Sequence, residues 1–177
     1  AARKGAMSDL RCYVACLGCY TAGKLVGKWV DAVDARDLDC AAVGCTDSSH
    51  EELQVHDWDA DGVTGLGEMS PDEAADLGDL ADDLGDEFAA FVAWRDNEGA
   101  DWDDKDGFQD AFAGEHKSGA DFAEELADEQ GIDCGKWPYF HIDWEAAWND
   151  LSCGDYYEIA APNGNVWIFR NRSEEHT

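Results

Sequence analysis

The chain has 177 residues and a mass of 19.4 kDa, enough to bury a real core, and sets 41 Asp and Glu against 12 Lys and Arg for a formal charge of −29. A charge of that size excludes an ordinary nucleic-acid binder and an anionic membrane surface as a docking site, because both would repel it. Disorder, the common state of so acidic a chain, conflicts with 45% hydrophobic residues and eight tryptophans.

At the N-terminus no apolar stretch follows Arg3 and Lys4, so no signal peptide is expected, and residues 1–6 read as an addition ahead of a native start at Met7. Seven cysteines, an odd number without a secretory signal, point to reduced thiols in a cytoplasm. No run approaches the ~18 apolar residues of a membrane span. Residues 11–20 and 25–30, joined by the turn-like Thr21-Ala-Gly-Lys24, predict a hairpin. A short helix is expected around 35–43 and a third strand over 53–58.

Ser70-Pro71-Asp72-Glu73 opens a helix: Ser is the N-cap, Pro takes the first helical position and Glu completes a capping box, with Gly85 as the stop. A further helix spans 86–96, with Phe88, Phe91 and Val92 inward. Phe108 and Phe112 mark a short helix, and Ser118-Gly-Ala-Asp121 caps an acidic helix that ends at Gly131. Trp144, Ala147, Trp148 and Leu151 form the apolar stripe of one more helix. The chain closes with a hairpin, 156–160 and 166–169 around Asn163-Gly164. The class is α+β. It divides into an N-terminal antiparallel sheet with one helix (8–69), a central acidic helical domain (70–100), and C-terminal helices with the terminal hairpin (101–172).

The charge is localised. Residues 1–46 carry a net +1, residues 47–145 carry −27 and residues 146–177 carry −3. Salt adaptation would acidify every exposed surface, so the near-neutral first quarter favours a localised functional face; an acidic domain from a salt-adapted host is the rival reading. In the 70–85 helix, Asp72, Asp76, Asp79 and Asp83 recur at helical spacing with no Lys or Arg within the helix to relieve them. With Glu73 and Asp82 they place one charge about every 3 Å along the helix, close to the ~3.4 Å phosphate spacing of one strand of B-DNA.

Several segments, in order, resemble the ArdA antirestriction family. They are Tyr13-Val-Ala15, Tyr20-x-x-Gly23-Lys-Leu-x-Gly27-x-Trp29-x-Asp31, Val55-His-Asp-Trp58, Glu124-Glu-Leu-Ala-Asp-Glu-Gln-Gly131, Tyr139-Phe-x-x-Asp143-Trp-Glu-Ala-Ala-Trp148 and Gly154-Asp-Tyr-Tyr157. The resemblance runs from Arg11 to Arg172. It implies an elongated, curved dimer of three-domain chains that mimics duplex DNA. Its partner would be the methyltransferase and specificity core of a Type I restriction-modification complex, whose DNA groove it would occupy while a mobile genetic element establishes itself. Neither nucleic acid nor membrane is an expected partner, and no catalysis or cofactor is implied. The expected mimic surface comprises Asp57, Asp59, Asp61, Asp72, Glu73, Asp76, Asp79, Asp82, Asp83, Asp86, Asp103, Asp104, Asp110, Glu115, Asp121, Glu124, Glu125 and Asp128.

Two metal motifs compete. The stretch from Asp57 to Glu68 satisfies an EF-hand pattern, with Asp57, Asp59, Asp61 and Glu68 as calcium ligands, but a strand enters it and the following helix starts only at Pro71. Cys16-x-x-Cys19 with Cys40-x4-Cys45 outlines zinc ligands, yet Cys12, Val14 and Cys16 alternate on one strand face and read as small core residues. No metal is therefore expected. His50, His56, His116, His141 and His176 are scattered, and His56 reads as a structural, hydrogen-bonded residue rather than a base. No phosphate loop or nucleophile elbow appears.

Overall fold

The computed structural model describes residues 10–172; the reading of residues 1–6 and of a start at Met7 lies outside them. The chain forms two compact units, Ala1–Val92 and Ala93–Thr177.

In the first unit, β1 (Arg11–Cys16), β2 (Gly27–Asp31) and β3 (Leu53–Asp59) make an antiparallel sheet in the order β2-β1-β3. Alternation sends Cys12, Val14 and Cys16 into the core with Val55. On the other face Tyr13 lies opposite Trp29, with ring centroids 5.6 Å apart. The expected first strand stops at Cys16, where the chain turns into the one-turn helix α1 (Leu17–Thr21). The helix expected around 35–43 is instead a 3₁₀ turn, Ala32–Asp37. Leu38 is extended, and the Asp39 carboxylate accepts the Ala42 N–H at 2.7 Å, a backbone donor that a helix would need.

Helix α2 (Pro71–Leu84) forms as its capping box predicts. Ser70 Oγ accepts the Glu73 N–H at 3.2 Å, and the Glu73 carboxylate accepts the Ser70 N–H at 2.9 Å. Gly85 ends it at φ 57, a conformation that disfavours a side chain. Ala74, Ala75, Leu77, Ala81 and Leu84 are buried. Gly78 has a steric reason to be there: a Cβ would lie 2.7 Å from the backbone N of Val33 in the 3₁₀ turn. Replacing Gly78 by Ala is therefore expected to lower stability by about 1–3 kcal/mol, although Ala is the better helix former. Denaturant unfolding reads this directly, and an unchanged or raised midpoint would mean that α2 can lift off the turn without cost.

This packing places residues 71–84 within the first unit. The two units divide within α3 (Phe88–Glu98), between Val92 and Ala93.

The second unit holds α4 (Lys105–Ala111), α5 (Gly119–Glu129), α6 (Trp144–Ser152) and an antiparallel sheet β4-β6-β5. The closing hairpin, β5 (Tyr156–Ala160) and β6 (Val166–Arg170), matches expectation. The strand β4 (Phe112–His116) does not: Phe112 opens a strand rather than lying in a helix. Gly114, at φ +99, sits where the pairing with β6 shifts register. Phe108 stacks on Phe112, meets Trp94 edge-on and lies tilted against Phe169. Phe122, Ala123, Trp148 and Ile168 form a second cluster beneath α5 and α6. Among the described residues, no helix is long and apolar enough to cross a membrane.

Candidate functional site

Every residue of the expected mimic surface is exposed except Asp104, which is half-buried. The arrangement differs between the two units, and each is built by its own core.

In the first unit the burial of Leu77, Ala81 and Leu84 turns Asp72, Asp76, Asp79 and Asp83 outward, with Glu73 and Asp82 flanking them and Asp86 just beyond the helix. The sequence reading misses one partner of this stripe. Arg36, from the 3₁₀ turn, places Nη2 2.9 Å from Asp76 Oδ1 and 3.1 Å from Asp79 Oδ2. Relief of like-charge repulsion thus comes from another element, and no spacing within the helix signals it. The ties are exposed and contribute little to stability, about 0–1 kcal/mol each. Asp57, Asp59 and Asp61 lie on or just after β3.

In the second unit, burial of Phe122 and Ala123 leaves Asp121, Glu124, Glu125 and Asp128 outward on α5. Ser118 caps this helix by accepting the Asp121 N–H at 3.2 Å and donates its hydroxyl to the Asp121 carboxylate at 2.9 Å. Glu125 pairs with His116 Nδ1 at 3.0 Å. Asp104 caps α4 through the Gly107 N–H and meets Arg172 at 2.9 Å. Glu115 accepts amide hydrogens from Asn163 at 2.6 Å and Asn165 at 2.9 Å, which hold its carboxyl below the usual range. Asp103, just before α4, and Asp110, within it, are exposed.

A family model for antirestriction protein (ArdA) matches residues 12–163, from β1 to the turn of the closing hairpin. The chain belongs to the ArdA family. No curated protein matches it. ArdA proteins are antirestriction proteins, inhibitors rather than enzymes, so a surface rather than a catalytic pocket is the feature to explain.

In this ArdA chain the Asp57–Glu68 segment is not flanked by two helices as an EF-hand loop is. Its first residues are strand, and the Glu68 carboxylate reaches His56 Nδ1 at 3.1 Å. Trp58 Nε1 donates to the Gly67 carbonyl at 2.7 Å. Among the described residues, its carboxylates do not gather about a common point. His56 is hydrogen-bonded to Glu68, and its ring lies 4.5 Å from that of Tyr20, tilted against it.

A second grouping differs in one member from the four cysteines outlined in the sequence. Cys16 at the end of β1, Cys19 in α1, and Cys45 and His50 in the loop before β3 converge, with their donor atoms all within 4.8 Å of one another. His50 replaces Cys40, whose thiol faces the Glu52 carbonyl at 3.5 Å. The local signal for this grouping is the Cys45-x4-His50 spacing. Burial opposes ionisation of Cys16, but hydrogen bonds from the Cys19 backbone and from the thiols of Cys45, Cys19 and Cys40 bring it down to about 6. Burial and the neighbouring sulfurs push Cys19 up to about 12.

Proposed function

We propose that this ArdA chain inhibits Type I restriction-modification enzymes by imitating duplex DNA, acting as a cytoplasmic dimer in competition with incoming DNA for the groove of the methyltransferase and specificity core. The observation that carries the reading is the pair of carboxylate faces on α2 and α5, each fixed by a buried apolar face on the same helix. Side chains held on packed helices lose little freedom when bound, so the charge array is pre-organised for a basic groove. A dimer would carry a formal −58, matching about 29 base pairs of duplex. Exposed Trp137, Tyr139 and Phe140 supply apolar surface of the kind that a subunit contact covers.

The test is a titration of the protein into cleavage and methylation assays of a Type I enzyme at several salt concentrations. Both activities are expected to stop at near-stoichiometric amounts, with inhibition weakening as salt rises because the competition is between charged surfaces. Inhibition that ignores salt, or that stops cleavage while sparing methylation, would point to another contact.

A further inference from the structure

We propose that Cys16, Cys19, Cys45 and His50 bind one zinc ion in a closed Cys3His site that pins residues 38–52 to the β1–α1 corner. This site is separate from the acidic faces and does not depend on the proposed mimicry.

Three observations converge on it. The first is distance. His50 Nδ1 lies 3.4 Å from Cys16 Sγ, 3.5 Å from Cys19 Sγ and 3.5 Å from Cys45 Sγ, and the sulfurs of Cys19 and Cys45 are 3.5 Å apart. A tetrahedral zinc with Zn–S of about 2.3 Å and Zn–N of about 2.0 Å sets S···N at roughly 3.5 Å and S···S at roughly 3.8 Å. These four separations are close to those around a tetrahedral zinc ion. The imidazole nitrogen sits within hydrogen-bonding distance of three sulfurs, although it offers a single lone pair or a single proton and can satisfy only one of them.

The second is the far side of the imidazole. Nε2 faces the Asp47 carboxylate at 3.5 Å. Asp47 is itself held by the Ser49 N–H at 2.9 Å and the Ser49 hydroxyl at 2.6 Å. A carboxylate behind a ligating histidine fixes its tautomer and aims the other nitrogen at the metal.

The third is the turn between the two N-terminal ligands. In Cys16-Leu17-Gly18-Cys19, a Cβ on Gly18 would lie 2.6 Å from ring carbons of His50. The glycine lets the imidazole close over the Cys-x2-Cys corner. Cys12 shows the contrasting case of a thiol used as ordinary core: it is fully buried, lies outside the cluster, and burial with the Asp31 charge pushes it up to about 11.

Three thiolates and an imidazole favour zinc over harder cations, and four protein ligands leave no open position, so the ion would be structural. It would join the ends of a long loop in a small unit, where metal binding and folding are one process.

The experiment measures metal in the reduced, full-length protein expressed with added zinc. One zinc per chain is expected, lost in Cys45→Ser and His50→Ala and kept in Cys40→Ser and Cys153→Ser. Because removing a ligand can also unfold the first unit, Co2+ is titrated into metal-stripped, reduced wild-type protein. A tetrahedral cobalt–thiolate absorption that saturates at one equivalent and is reversed by zinc supports the site. No such absorption, a Cys19–Cys45 disulfide in the reduced-purified protein, or an iron–sulfur spectrum would each overturn it.

Discussion

Replacing Asp76, Asp79, Asp82 and Asp83 together by Asn is expected to weaken inhibition of a Type I enzyme by about fivefold to 900-fold, while each single replacement changes it by about fivefold at most. An exposed charge pair contributes about 0.2–1 kcal/mol, so four lost together amount to about 1–4 kcal/mol. Stability should move by less than about 1 kcal/mol. Losing the ties from Arg36 to Asp76 and Asp79 is offset by relief of repulsion along α2. Inhibition constants measured beside urea unfolding separate the two effects. Undiminished inhibition by a folded quadruple variant would place α2 outside the contact surface.

Trp148→Ala is expected to cost about 3–5 kcal/mol, a large share of the roughly 5–15 kcal/mol that holds a typical domain together. Trp148 meets Phe122 edge-on at 6.0 Å, and a Cβ on Gly119 would lie 2.2 Å from its ring. The first residues of α5 thus rest on the indole. The substitution removes no charge, yet it unseats the helix that presents Asp121, Glu124, Glu125 and Asp128. Inhibition should fall with the loss of near-UV circular dichroism from the second unit. Full inhibition by a variant whose second unit is unfolded would mean that the number of charges suffices and their placement does not matter.

What could be read in the sequence was what is decided locally. Ser70, Pro71, Glu73 and Gly85 bound α2 through contacts within a few residues, and the turn at Asn163-Gly164 joins strands that are neighbours in the chain. The acidic stripes follow from helical spacing once those helices exist. What was missed depends on distant partners. Nothing near Arg36 signals that it lies between Asp76 and Asp79, forty residues on. The strand character of 112–116 comes from pairing with β6, far along the chain, and is masked locally by Gly114. Gly78, costly inside a helix, is required by the Val33 backbone packed against it. The thiol of Cys16 reads as core, and nothing near Cys16 or Cys19 in the chain signals that His50 lies against both.

The most direct measurement mixes a Type I methyltransferase core with a labelled cognate duplex and increasing amounts of this protein, following by sedimentation which species carry the label. Mimicry predicts mutual exclusion: the duplex is released as the protein binds, and no species contains all three. A stable ternary complex, with duplex still held at its original affinity while the protein is bound, would contradict it.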